Sequence, residues 1–219
     1  TEQGHAPDGP EETAVATAPA HRYVAASNGD RGLAIFAPGF FEYEWTGSDL
    51  AMTLLRSVGD LSRGDLATRP GHAGWITPTP AAQCIGRDRV ELAIGPVTSS
   101  DLDRADRLER SWEDAFLPLR GMWLRDADAL LPAAVGIELE GEGLVLSAAK
   151  PAEDGDGMIL RCWNAGDAAT VGRVRIHPHP SQAERSAGDE RGGGVIPRDP
   201  DGSVRFRAGP REIVTLRIR

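Results

Sequence analysis

The chain is poor in several things that whole function classes require. It has two cysteines in 219 residues, Cys84 and Cys162. Both fall in apolar stretches that read as strands, where a free thiol behaves as a small buried hydrophobe. The reading is of reduced thiols in a cytoplasmic protein. No apolar run approaches the length of a bilayer-crossing helix, and the N-terminal stretch has neither a basic nor a hydrophobic signal region, so membrane insertion and secretion are not expected. Excess positive charge is also missing. The net charge is -9, so a polyanion such as DNA or RNA would be repelled rather than attracted. No G-x-S-x-G elbow surrounds Ser57 or Ser147, and neither cysteine has a histidine partner in sequence. The run Gly192–Gly194 precedes no helix, so it is no phosphate cradle. No repeat period is visible. The first residue is Thr1, which fits either a piece of something longer or removal of an initiator Met.

What is present reads as many short strands. A chain of 219 residues can form one large all-β domain or two small ones with a real core. Residues 1–20 hold almost nothing large and apolar and are expected to be a poorly ordered linker or strap. Structure is expected from Arg22 onward. Tyr23–Ala26 and Gly32–Phe36 form a hairpin about the tight turn Asn28-Gly29-Asp30. A turn at Pro38-Gly39 then leads to a separate strand in which Phe41, Tyr43 and Trp45 alternate with Glu42 and Glu44. Leu50, Met52, Leu54 and Leu55 predict a longer strand ending near Arg56–Gly59. The stretch from Asp60 to Thr79 has no periodicity and is a long loop, of the kind usually functional or pinned against another domain.

Val90, Leu92 and Ile94 alternate again. The single helix predicted begins at an Asp101 N-cap and carries a stripe of Leu102, Ala105, Leu108, Trp112, Ala115 and Phe116, with Pro118 as its stop. From Val135 the texture returns to β, through Ile137 and Leu139. Two apolar runs, Gly143–Leu146 and Met158–Leu160, flank the charged turn Lys150-Pro-Ala-Glu-Asp-Gly-Asp-Gly157, which is a strand, a turn and a strand. Val171, Val174 and Ile176 predict another strand, Asp189–Gly202 a loop, and Ile213–Ile218 a terminal strand. The fold class is mainly β, an antiparallel β-sandwich with one short helix. The five tryptophans sit mostly on alternating or helical apolar positions, so core packing is their default role.

Two sets of polar residues invite a chemical reading. Glycoside hydrolysis needs two carboxylates about 5 Å apart for retention, or roughly 6.5 to 9.5 Å for inversion, facing each other across a sugar. Glu153, Asp154 and Asp156 lie on one exposed turn, and turns favour Asp for local hydrogen bonding. The turn reading is preferred. His177 and His179 could approach a metal, yet no third Cys or His stands at a supporting spacing. With Pro178 and Pro180 interleaved, they read as a strand entering a loop. A calcium loop is unsupported, because the acidic turn lacks a closing Glu.

Several segments, in order, resemble the C-terminal β-sandwich region of glycoside hydrolase family 38, the α-mannosidases and mannosylglycerate hydrolases. They are Arg31–Phe36, Phe41–Trp45, Leu50–Gly59, Thr79–Cys84, Leu146–Arg161 and Pro210–Leu216. The resemblance implies a supersandwich of the galactose-mutarotase type over residues 21–219, with a smaller terminal β-subdomain from about residue 134. It also implies that the nucleophilic Asp, the acid and the zinc ligands belong to an N-terminal catalytic domain that this chain lacks. No cofactor or metal is expected in the chain itself; its expected partners are that catalytic domain and mannose-containing carbohydrate. Candidates for the rim of a sugar site are Asn28, Asp30 and Arg31 in the hairpin turn, and His72 and Trp75 in the long loop. Each has a plainer reading, a solvent-exposed hairpin tip for the first three and a loop plugged against a neighbouring domain by Trp75 for the others. A free-standing carbohydrate-binding or interaction module is the alternative.

Overall fold

A computed structural model describes residues 15–71, 74–119, 136–177 and 179–219. The chain divides into two compact units, residues 1–98 and 99–219. No helix among the described residues is long and apolar enough to cross a membrane.

In the first unit, β1 (Thr17–Ser27) and β2 (Gly32–Trp45) form the expected antiparallel hairpin. The strand starts at Thr17, earlier than the expected end of the strap at residue 20; residues 1–14 of that strap lie outside the described residues. The turn expected at Pro38-Gly39 does not break the chain, because β2 runs through it. A register shift absorbs it: His21 and Tyr23 pair normally while Ala37-Pro38-Gly39 oppose Arg22 alone. Gly39 takes a positive φ of 78° and Arg22 one of 70°, the local distortion by which a bulge accommodates a residue that cannot donate to the ladder.

The strand β3 is short, Leu50–Met52, and the predicted extension fails because Leu54 and Leu55 are exposed. The ladder ends where Thr53 N–H donates to the Glu42 carbonyl at 2.9 Å. The long loop contains a minimal pair, β4 (Asp65–Leu66) and β5 (Arg69–Pro70), and is followed by a 3-10 turn at Pro80–Gln83. Cys84 follows that turn, exposed and outside any strand, which corrects the expectation that it is a strand residue. Val90 and Leu92 are also exposed; the strand β6 is Ala93–Val97, paired to β2.

The second unit opens with two helices where one was predicted, α1 (Ser99–Leu102) and α2 (Ala105–Phe116). Asp101 lies inside the first, and the residue preceding the second is Arg104, at φ -119° and ψ 72° with no side-chain cap. The buried positions of α2 are Asp106, Leu108 and Glu109. That face is rotated from the predicted stripe: Ala115 is exposed, while Trp112 and Phe116 contact one another at 5.9 Å between ring centroids.

Eight strands follow: β7 (Ile137–Glu140), β8 (Leu144–Pro151), β9 (Met158–Asn164), β10 (Thr170–Ile176), β11 (Ala183–Ser186), β12 (Gly194–Val195), β13 (Val204–Ala208) and β14 (Ile213–Ile218). They form a three-stranded sheet ordered β13-β10-β7 and a five-stranded sheet ordered β12-β11-β14-β9-β8, all antiparallel. One core joins them. Leu160, Cys162, Val214, Leu216 and Ile218 come from the larger sheet, and Val174, Ile176, Val204, Phe206 and Ala208 from the smaller. The alternation of β13, buried at Val204, Phe206 and Ala208 and exposed at Arg205 and Arg207, is the period-2 signature of a strand with one wet face. A Cβ at Gly172 would lie 2.3 Å from the Phe206 ring and 2.7 Å from Leu144, so any larger residue there would displace core side chains. The antiparallel β-sandwich expected from the sequence is therefore present.

Candidate functional site

The hairpin turn after β1 is a local construction. Asn28 N–H donates to the Arg31 carbonyl at 3.0 Å, and the Ser27 hydroxyl bonds the carbonyls of Gly29 and Arg31 at 2.8 and 3.0 Å. Gly29 has φ +118°, as such a turn requires. Asn28, Asp30 and Arg31 are all exposed. Trp75 is exposed in the long loop, contrary to the default of core packing, because that loop has no apolar layer to receive it; Trp45 is partly exposed at the end of β2. Trp112 and Trp163 are half-buried, and Trp123 and His72 lie outside the described residues. No hydrogen bond among the described residues joins Trp75 to the turn at 28–31.

The acidic turn between β8 and β9 is closed by its own backbone, with Ala152 N–H donating to Gly157 O at 3.0 Å and Gly155 N–H to Ala152 O at 2.9 Å. Each acid faces a cation. Arg217, buried on β14, donates to Asp154 Oδ2 at 2.7 Å, and Arg219 Nε donates to Asp156 Oδ2 at 2.6 Å. Glu153 pairs with Lys150, which also reaches the buried Glu190 at 2.7 Å. The side-chain hydrogen bond from Arg217 holds the Asp154 carboxyl below its ordinary value, and Lys150 does the same for Glu190. Carboxylates kept ionised in this way cannot serve as a general acid near neutral pH. The turn therefore fastens the hairpin to the terminal strand.

A cleft of about 200 Å³ at one end of the sandwich, between the start of α2 and the turns after β7 and β9, was not singled out in the sequence. Its floor is Asn164, buried at the end of β9. The amide donates to the carbonyls of Ala168 at 2.7 Å and Gly209 at 2.8 Å, and its oxygen accepts from Gly166 N–H at 2.9 Å. On its wall, Arg104 makes a bidentate pair with the buried Asp106 at 2.9 and 2.8 Å and reaches Glu142 at 3.3 Å. That pair holds Asp106 below the usual carboxylate range despite the opposing effect of burial. These polar groups satisfy one another, so the cleft bridges helix and sheet. A strand-terminal Asn before Gly166-Asp167, and an Arg-x-Asp at a helix start, were the signals available in the sequence.

The rings of His177 and His179 lie tilted at 46° with centroids 4.8 Å apart, and His179 lies over Gly202, where a Cβ would sit 2.5 Å from Nδ1. Among the described residues, no group of three or more His, Cys, Asp or Glu is arranged to hold a metal ion. Burial pushes the Cys162 thiol up to about 11, far from the thiolate a nucleophile needs.

Comparison with known proteins places this architecture. Residues 143–216 match the glycosyl hydrolases family 38 C-terminal beta sandwich domain. A protein of Halalkalibacterium halodurans named "Putative mannosylglycerate hydrolase" is 35% identical over 201 residues, covering 90% of this chain and 20% of its own length. An alpha-mannosidase from Enterococcus faecalis V583 superposes with a TM-score of 0.69 at 21% identity, over 93% of this chain and 21% of that one. A family 38 protein from Enterococcus faecalis superposes at 0.62, again at 21% identity, over 93% of this chain and 23% of that one. The chain spans about a fifth of the length of these relatives. Residues 143–216, from the lead-in of β8 to the middle of β14, are thus the part of the chain that matches the family 38 C-terminal β-sandwich domain.

Proposed function

We propose that the chain is the non-catalytic C-terminal β-sandwich portion of an α-mannosidase-like glycoside hydrolase, bracing a zinc-dependent catalytic portion that hydrolyses mannosides. One observation carries this reading: nine-tenths of the chain is used in matching only a fifth of a longer relative. The pairing of Asp106, Asp154 and Glu190 with cations supports it, since it leaves these acids as structural ties. The residues described offer no ligand set for zinc, which the reading assigns to the catalytic portion. The partner is that portion, and the setting is a bacterial cytoplasm.

The purified 219-residue chain, supplied with zinc and an aryl α-mannoside, is expected to show no turnover. Turnover abolished by a chelator would overturn the non-catalytic reading. A second reading, a carbohydrate-binding module, is favoured by one feature, the exposed Trp75, since an open indole can stack on a sugar face. Calorimetry against mannose-containing oligosaccharides separates the two: saturable heat lost in Trp75→Ala supports the module.

A further inference from the structure

The long loop of the first unit is an arm built without a core. Its two sides run antiparallel from residue 59 to residue 79. Thr79 N–H donates to Gly59 O at 2.9 Å, Leu61 N–H to Thr77 O at 2.8 Å and Gly71 N–H to Gly64 O at 3.0 Å, and Asp60 bridges Pro78. The minimal strands β4 and β5 close the tip. At the base, the Thr79 hydroxyl and the Gln83 amide both donate to the Val58 carbonyl, at 2.9 and 2.7 Å. The arm is thus ordered by hydrogen bonds, while no described residue from 38 to 96 is buried.

Its large apolar side chains point outward. Trp75 is 92% exposed, Leu61 75% and Ile76 55%. The antiparallel bonds bring them to one part of the arm, Leu61 bonded to Thr77 beside Trp75 and Ile76. Next to Ile76 an open hollow of about 380 Å³ is rimmed by Asp60, Arg63 and Asp65. An apolar centre holding a Trp, with charged residues at the edge, is the composition of a binding hot spot rather than of a solvated loop. Backbone hydrogen bonds exchanged with water contribute little net stability, whereas ordering each residue carries a larger entropic cost. An ordered arm of this kind therefore needs a second surface.

We propose that this arm is the docking element of the chain, and that its occupant is the remaining four-fifths of a family 38 polypeptide, with Trp75, Leu61 and Ile76 as anchors. The inference rests on the bracing role proposed above and names the face that performs it. The length of the relatives identifies the occupant: the chain matches a fifth of each at most 23% coverage, which leaves most of such a polypeptide to cover exposed surface here. A second copy of the chain would be a different occupant and is separated by the test.

Hydroxyl-radical footprinting is applied to the chain alone and to the whole family 38 polypeptide containing it. Oxidation of Trp75, Leu61 and Ile76 is expected to fall at least ten-fold in the whole polypeptide. In parallel, Leu61→Ser with Trp75→Ser should weaken binding of the chain to the separately expressed remainder at least a hundred-fold, with an unchanged circular dichroism spectrum. If the remainder binds and protects other surfaces while Trp75 stays reactive, the arm is overturned and the bracing role stands. If no surface of the chain is protected, the bracing role falls with it. If Trp75 is already protected in a chain that sediments as a dimer, the occupant is a second copy and the proposal is overturned.

Discussion

In the unit of residues 99–219, Leu160, Leu216, Val174 and Phe206 close a core between two sheets, whereas in the unit of residues 1–98 the described residues from 38 to 96 bury nothing. The first arrangement obtains order from apolar burial, each fully buried Leu contributing about 2 kcal/mol. The second buries Ala34, Ile35, Phe36 and Ala37 on β2, and over residues 38–96 obtains its order from strand pairing and loop hydrogen bonds, each contributing about 1 kcal/mol net. The contrast separates a self-sufficient sandwich from a segment whose apolar side chains await a partner.

The largest expected effect that would break this comparison is in the core. Leu160→Ala, at a fully buried position on β9, should cost about 3 kcal/mol in urea denaturation, while Trp75→Ala should change the stability of the isolated chain by less than about 0.5 kcal/mol. Equal effects would erase the distinction. Next comes Asn164→Ala, which leaves the Ala168 and Gly209 carbonyls and the Gly166 N–H without their amide partner. A loss of about 2 kcal/mol is expected, with faster hydrogen exchange at Gly166.

Acid should act unequally on the two units. In residues 99–219, Asp106, Asp154 and Glu190 titrate low through Arg104, Arg217 and Lys150, and Asp201 falls to about 2 through the Ser203 hydroxyl and N–H. Among the described residues of the first unit, Asp65 is held low, by the exposed Arg63. Unfolded carboxylates titrate near 4, so between about pH 4 and pH 2 the unfolded chain binds protons that the folded one refuses, and stability falls as pH falls through that window. Hydrogen exchange of β9 and β14 peptides should accelerate more steeply over this range than that of β1 and β2 peptides. The smallest effect is Arg63→Ala. Its pair with Asp65, at 2.5 Å, is exposed on both sides, so solvent screening should leave the urea midpoint unchanged.

Much of the sandwich was legible in the sequence because its signals are local. The turn Asn28-Gly29-Asp30 and the Gly/Asp turn at 154–157 carry their own chemistry, and the apolar runs of β8, β9 and β14 alternate or cluster within a few residues. The strands β11 and β13 were missed, as was the two-residue β12 within the stretch 189–202 expected to be a loop, which forms by pairing with β11. Ala183–Ser186 and Val204–Ala208 are short and half polar, and their status depends on partners far along the chain, β14 for one and β10 for the other. Leu54, Leu55, Val90 and Leu92 misled in the opposite direction, since alternation alone does not supply a neighbouring strand. The helix was placed by its stripe, yet the Arg104–Asp106 pair shifted its start and turned acids inward.

The candidate residues divide along the same line. The sequence alone determined that the chain is β-rich, that residues 143–164 form a hairpin, and that these segments resemble family 38, because turn residues and period-2 patterns act over a few positions. Only the tertiary structure decided that Asp154 is tied to Arg217, 63 residues away, that Asn164 closes a cleft, and that Trp75 stands open on a coreless arm. Ion pairing and burial are set by which strands become neighbours, and no local pattern encodes that choice.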